Sequence, residues 1–191
     1  MSRAMIFSLA VVLALSAGTM LWAQAAAAEE SRGWYLTAGA GINHLDQEGS
    51  KDPVADIGFR VVLGGGYRFN PRWALEFDSG LIRTTFPDDP IYGPEPTLSE
   101  IPLVVNGLLH FPNDTGLEPF VGAGAGVTIG STERDTGGDI TFAFKGGVRR
   151  AVNDRIAVAV DYTFFMLMVS SAFVGEPVGN DTVNLTVQWR R

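Results

Sequence analysis

The chain has 191 residues, no cysteine, and 21 acidic against 14 Lys and Arg side chains, which gives a formal net charge of -7 at pH 7. This acidic balance disfavours nucleic-acid binding, which needs a basic surface. The lack of cysteine excludes disulfides, thiol catalysis and Cys-ligated metal sites. The length is most simply that of one domain with a targeting segment.

The N-terminal segment has the composition of a secretory signal peptide. It opens with Arg3, continues as an apolar block, and ends in small residues that offer cleavage sites after Ala25 and after Ala28. This order predicts a signal peptide over residues 1–28 and an exported mature domain over residues 29–191. An uncleaved membrane-spanning helix is the alternative interpretation of the same apolar block.

Eight later segments alternate apolar and polar side chains with a period of two, which predicts β-strands. No long amphipathic helical pattern accompanies them, so the predicted fold class is all-β. The predicted strands, in chain order, are Trp34–Asn43, Ile57–Phe69, Trp73–Arg83, Ile101–Phe111, Leu117–Gly130, Ile140–Arg149, Arg155–Phe164 and Thr182–Arg191.

The hairpin Ile57–Arg83 indicates which face of the sheet is buried. Large apolar side chains such as Leu63 and Phe77 share one face, whereas glycines and charged residues such as Gly64 and Glu76 share the other. A wet face accepts side chains of any size, but a narrow interior favours glycine. The limbs are also long enough to cross a bilayer as tilted strands. The hairpin therefore predicts a transmembrane β-barrel with its apolar face outside.

The connections between the predicted strands alternate in length. Long polar connections are predicted at His44–Ala55, Thr84–Glu100, Ser131–Gly138 and Met166–Asp181, and short turns at Asn70–Arg72, Pro112–Gly116 and Asn153–Asp154. Transmembrane barrels place short turns in the periplasm and long loops outside. We therefore predict an eight-stranded antiparallel up-and-down barrel of that orientation.

This arrangement, taken over the whole mature chain, resembles the small eight-stranded outer-membrane β-barrel proteins of the OmpA/OmpX and opacity type, with their porin-like outer-membrane β-barrel domain. The resemblance implies an integral outer-membrane protein of a Gram-negative-type cell, without enzymatic activity or cofactor. It also implies contact with outer-membrane lipids and lipopolysaccharide, and with the barrel assembly machinery and periplasmic chaperones during biogenesis. A role in envelope integrity or surface interaction follows, with an extracellular partner left open.

Aromatic residues are expected at two levels of the barrel, as in membrane proteins whose rings lie at both interfaces. The periplasmic level is predicted to contain Trp34, Tyr67, Phe69, Trp73, Phe111 and Trp189, and the outer level Phe59, Phe142, Tyr162 and Phe164.

Charged side chains of both signs fall on the inward parity. They are Arg60, Arg68, Lys145, Arg149, Arg155 and Arg190 with Glu76, Asp78, Glu118 and Asp161. Because an unpaired buried charge is strongly unfavourable, we expect these groups to form a structural ion-pair network in the lumen. The alternative is a charged constriction of a narrow pore for small solutes.

Other chemistry is weakly supported by the sequence. A lipid-modifying enzyme of this architecture would need a serine next to a histidine base, and the two histidines, His44 and His110, offer only Ser50 in a predicted loop. Neither histidine has a second one at metal-ligand spacing, so no metal is predicted. Glu76 and Asp78 are expected to stay ionised beside arginines, which disfavours acid–base catalysis. A soluble periplasmic barrel of lipocalin type remains a further alternative.

The outer loops are predicted to be acidic, which is expected of a solvated surface that resists aggregation. A site for divalent cations that bridge to lipopolysaccharide, or for a basic partner, is the alternative. The acidic residues concerned are Asp46, Glu48, Asp52, Asp88, Asp89, Glu95, Glu133, Asp135, Glu176 and Asp181.

Overall fold

The computed structural model describes residues 32–47, 57–85, 97–132, 136–168 and 178–190, which contain eight antiparallel strands closed into one barrel. Each strand pairs with its neighbours in sequence, and β8 returns to pair with β1. The strands are β1 Gly33–Gln47, β2 Ile57–Arg68, β3 Trp73–Thr85, β4 Thr97–His110, β5 Leu117–Ser131, β6 Thr136–Ala151, β7 Ile156–Leu167 and β8 Val178–Arg190. The predicted eight-stranded up-and-down barrel is confirmed. The predicted signal peptide lies outside the described residues.

The two faces of the sheet have the predicted polarity. Outward side chains such as Leu36 and Leu63 are 60% and 57% exposed, whereas inward side chains such as Thr141 and Val104 are fully buried. Strands of 12 to 16 residues exceed the roughly 9 to 11 needed to cross a bilayer. Within the described ranges, no helix is long and apolar enough to cross a membrane.

The strands extend further than predicted at the end opposite the short turns. Residues predicted as loop belong to strands at His44–Gln47, Thr84–Thr85, Thr97–Glu100, Ser131, Thr136–Gly138, Met166–Leu167 and Val178–Asp181. Apart from Met166, these segments lack the apolar outward side chains that marked the membrane-facing parts, so the periodicity did not reveal them. Backbone pairing does not need apolar side chains, and the strands therefore continue beyond the apolar belt.

The connection between β5 and β6 is also shorter than predicted. Ser131 pairs with Thr136, and the register continues through Gly130 with Gly137. The predicted loop over Ser131–Gly138 was therefore wrong in length, because its glycines and threonine extend the ladder. Only residues 132–135 remain between the two strands, so the long and short connections do not alternate strictly.

One irregularity interrupts the ladder between β3 and β4. Their register includes the pairs Asp78 with Val104 and Ile82 with Glu100, but the pairs between them are missing. Continuation of this register would place Gly80 opposite Pro102, which has no backbone N–H to donate. Gly80 has a φ of 135°, a conformation that residues with a Cβ rarely adopt. The glycine thus accommodates the local distortion beside the proline.

Candidate functional site: the charged lumen

Eight of the ten charged residues predicted for the lumen network form two groups on the inner face of the barrel. These eight residues comprise four cations and four carboxylates, so their formal charges sum to zero. Seven of the eight are buried, and the Glu118 side chain is 16% exposed. The central group is Arg60, Glu76, Asp78, Lys145 and Asp161, and the group near the short-turn end is Arg68, Glu118 and Arg149.

Lys145 is the cation at the centre of the first group. Its Nζ lies 2.8 Å from Glu76 Oε1, 3.1 Å from Asp78 Oδ2 and 4.0 Å from Asp161 Oδ1. The other Glu76 oxygen accepts a hydrogen bond of 3.0 Å from the Tyr35 hydroxyl. The strands β1, β3, β6 and β7 are thereby connected across the lumen by one ammonium and its acceptors.

Arg60 completes the central group from β2. Its Nη2 donates to Asp78 Oδ1 at 2.5 Å, and its Nη1 donates to the Thr182 hydroxyl at 3.2 Å. On the side away from the short turns, the guanidinium lies 4.8 Å from the centre of the Phe165 ring, within cation–π range. Asn184 Nδ2 donates to Asp161 Oδ1 at 2.9 Å, so β8 contributes one neutral donor, Asn184, and one neutral acceptor, Thr182, to the central group.

The second group is built around the Glu118 carboxylate on β5. Arg68 donates to both of its oxygens, at 2.5 and 3.3 Å, and Arg149 Nη1 lies 3.5 Å away. His110 Nδ1 lies 2.6 Å from Glu118 Oε1 and 2.8 Å from Arg68 Nη2. The carboxylate can accept a hydrogen bond from this nitrogen, whereas the Arg68 guanidinium can only donate one. Gln188 Oε1 accepts from Arg149 Nε at 2.8 Å.

An apolar layer covers the central group on the side away from the short turns. It consists of the buried side chains Ile82, Val104, Ala143, Phe165 and Leu167. Farther from the short turns the lumen is polar again, where Asn180 Nδ2 donates to Glu100 Oε2 at 2.7 Å. The described lumen therefore contains two charged layers, an apolar layer and an outer polar layer, and a smaller buried apolar cluster of Tyr35, Ala74 and Leu108.

The sequence misplaced some lumen residues and missed others. Arg155 was assigned to the lumen but is exposed in the turn before β7, because the strand begins only at Ile156. Glu100 was assigned to a loop but is 3% exposed inside the barrel. His110 was considered as a base and as a metal ligand, and no contact in the lumen was predicted for it. The sequence contained a signal for this contact, because His110 lies at the end of β4 and the inward Glu118 lies at the start of β5.

The two histidines considered for catalysis or metal binding lie apart, since His110 is buried in the lumen. His44 is exposed on the outer face of β1, and Ser50 lies outside the described residues. No group of three or more His, Cys, Asp or Glu side chains in those ranges could hold a metal ion. Of the acidic loop residues, Asp46 belongs to β1 and Asp181 to β8, where Asp181 accepts a hydrogen bond from the Tyr162 hydroxyl. The other eight lie outside the described residues.

A closed sheet with an apolar exterior and paired charges inside defines a transmembrane β-barrel of the outer-membrane type. The chain belongs to the outer membrane protein beta-barrel domain family, whose model matches residues 8–190. The predicted resemblance to small outer-membrane barrels is thus confirmed, and the short-turn end is the periplasmic end. No curated protein sequence matches the chain.

Several solved structures share this fold. Neisserial surface protein A has a TM-score of 0.64 and 18% identity over 86% of this chain and 99% of that chain. Ail of Yersinia pestis, in complex with the heparin analogue sucrose octasulfate, has a TM-score of 0.50 and 13% identity over 83% and 99%. OprG of Pseudomonas aeruginosa has a TM-score of 0.50 and 12% identity over 84% and 98%. At these identities the likeness concerns the fold alone.

Replacement of Glu118 by glutamine tests the second group, in which Arg68 and Arg149 share the Glu118 carboxylate. The variant leaves Arg68 and Arg149 close together without their shared carboxylate, so we expect a loss of about 1–3 kcal/mol in unfolding free energy. Partial exposure of Glu118 to water keeps the loss within that range. Urea unfolding in detergent micelles measures it. Asp154→Asn, in an exposed turn, is the control and should leave the midpoint unchanged; equal midpoints for both variants would contradict the interpretation.

Proposed function

We propose that this protein is a non-conducting, non-enzymatic barrel that acts in envelope integrity or surface interaction rather than in transport or catalysis. The observation that supports the proposal is the arrangement of Lys145, Arg60 and their carboxylates across the lumen. Both cations are buried, and each contacts side chains from two or more other strands. An eight-stranded barrel is just wide enough to be filled by its side chains, which agrees with this arrangement.

The glycines of β5 also favour a filled lumen over a narrow pore. Gly122, Gly124 and Gly126 face inward, where their lack of side chains could have left a channel. A Cβ atom would instead overlap Leu108 at the first position, Asn106 at the second, and the β4 backbone at the third. The glycines therefore allow side chains and backbone of β4 to pack against β5, and these β4 atoms already occupy the space that a Cβ would fill.

Conductance in planar bilayers separates the two alternatives. We expect the purified barrel to give no steady single-channel steps, because the central ion pairs and the apolar layer obstruct the lumen. A conducting porin of known behaviour, inserted under the same conditions, serves as the positive control. Steady channels that disappear in Arg60 or Lys145 variants would refute the proposal in favour of a narrow passive pore lined by these cations.

A gene deletion tests the proposed role in the cell. We expect the deleted strain to become more sensitive to detergent and to large antibiotics, and expression of the full chain to restore resistance. A variant with residues 48–56 and 86–96 replaced by short turns separates the two forms of the role. Restoration by this variant would indicate that the barrel body maintains integrity. Failure of a variant that still reaches the membrane would indicate an interaction through the loops.

The route to the membrane belongs to the same proposal. We infer that residues 1–28 are a signal peptide, removed after Ala25 or Ala28, and that periplasmic chaperones and the barrel assembly machinery deliver the remaining domain. The barrel body would then contact outer-membrane lipids and lipopolysaccharide. The N-terminal sequence of the membrane-extracted protein tests the cleavage. Recovery of the protein in the soluble periplasm would instead favour a lipocalin-type barrel.

A further inference from the structure

A groove of about 340 Å³ lies on the membrane-facing surface of β1 to β4, toward the periplasmic end. Its floor is Gly65, which faces outward on β2 between Leu36 of β1 and Phe77 of β3 in the strand register. The large neighbours Trp34 and Tyr67 form its wall on the periplasmic side. The groove thus exists because one position in an otherwise bulky apolar belt has no side chain.

The aromatic wall of the groove is a packed unit. The Tyr67 ring lies edge-on to Trp34, with centroids 5.0 Å apart, and edge-on to Phe69 at 5.1 Å. Such edge-to-face pairs are a favoured aromatic geometry and restrict the rings. The hydroxyl of Tyr67 points toward the polar side of the interface, since it accepts a hydrogen bond from Arg32 Nε at 3.2 Å.

Positive charge is concentrated beside the groove at this rim. Arg32 is exposed and next to Tyr67, and Arg72 is exposed in the turn that follows Phe69. A guanidinium has five N–H donors in a planar fork that matches phosphate oxygens, and the contact with Tyr67 uses one of them. The chain as a whole is acidic, so two arginines beside an apolar groove are a local reversal of its charge.

We propose that this groove binds one glycerophospholipid of the periplasmic leaflet. The Arg32 guanidinium holds the lipid phosphate, with Arg72 adding positive charge, and one acyl chain passes Tyr67 and lies on Gly65 against Phe77. Charge complementarity selects this occupant: the groove is apolar, its rim is cationic, and a phospholipid combines an acyl chain with an anionic phosphate. The position at the periplasmic end selects a phospholipid over lipopolysaccharide, which occupies the opposite leaflet.

Native mass spectrometry of the detergent-solubilised barrel, titrated with phosphatidylglycerol, tests the site. We expect one tightly bound lipid per chain. Arg32→Gln should weaken binding about tenfold, because it removes a charge-assisted hydrogen bond to the phosphate. Gly65→Leu fills the groove and should weaken binding at least as much. Its new Cβ would lie 3.1 Å from Tyr35 O and 3.3 Å from Leu36 Cδ2, so unchanged heat-modifiable migration must first show that the variant folds.

Matched control variants lie on the far side of the barrel. Arg150 is exposed at the periplasmic end of β6, and Gly146 faces outward on the same strand with its nearest Cβ contact at 3.8 Å. Arg150→Gln and Gly146→Leu should therefore bind phosphatidylglycerol like the unaltered chain. Equal losses in test and control variants, no loss in Arg32→Gln, or stronger binding of lipopolysaccharide than of phosphatidylglycerol would each overturn the proposal.

Discussion

Replacement of Lys145 by methionine is expected to lower the unfolding free energy of the barrel by about 3–5 kcal/mol, the usual cost of breaking a buried ion pair by removing one partner. Methionine keeps an unbranched chain but removes the ammonium that faces Glu76, Asp78 and Asp161. Three carboxylates then remain in a layer with Arg60 as the one cation of the central group. Urea unfolding in detergent micelles, monitored by tryptophan fluorescence and heat-modifiable migration, measures the loss.

A double variant distinguishes electrostatics from packing in this result. Lys145→Met with Glu76→Gln restores the original charge difference of the central group and retains an acceptor for the Tyr35 hydroxyl. We expect the double variant to be more stable than Lys145→Met alone. Arg83→Met, on the exposed outer face of β3, controls for loss of a cation in general. A double variant that is less stable than the single one would show that methionine packing, and not the unpaired charge, causes the loss.

The charged residues of the lumen were predictable from the sequence because inward parity and charge are both local properties. Their division into two groups was not, since it depends on how eight strands are staggered around the barrel. Lys145 and Glu76, for example, are on strands that do not pair with each other, and no pattern along either strand indicates their contact. The neighbouring positions of His110 and Glu118 could be inferred from the hairpin, but the contact of Arg68 with the same carboxylate could not.

The fold was predictable within the bilayer and less so outside it. In the apolar belt, a wrong parity would place a charge in lipid, so alternation is strict and identifies strands such as β2 and β7. Beyond the belt the outer face meets water instead of lipid, so it needs no apolar side chains and the alternation no longer marks the strands. Glu100 illustrates the consequence. It follows a proline-rich segment and was predicted to lie in a loop, yet it belongs to β4, pairs with Gly130 of β5 and is buried in the lumen.

A second large effect is expected at Gly80, where the sequence shows only one glycine among many. Its φ of 135° lies in a region that costs other residues about 1–3 kcal/mol. An added Cβ would also overlap the backbone oxygen of Val61, which cannot move without disturbing the β2–β3 ladder. Glycine is needed at this position because of Pro102 on β4. Pro102 has no N–H to donate to β3, and the β3–β4 ladder is broken at this point.

We therefore expect Gly80→Ala to lower the unfolding free energy by about 3 kcal/mol or more, as the backbone conformation and the steric overlap add to each other. The fraction of chains that refold in detergent to the heat-modifiable form should fall accordingly. Gly146→Ala is the matched control, because it adds the same methyl group to a strand glycine whose nearest neighbour, Phe120 O, is 3.8 Å away. If both variants refold to the same extent with the same urea midpoint, the β3 distortion is not a structural requirement, and another residue can take its conformation.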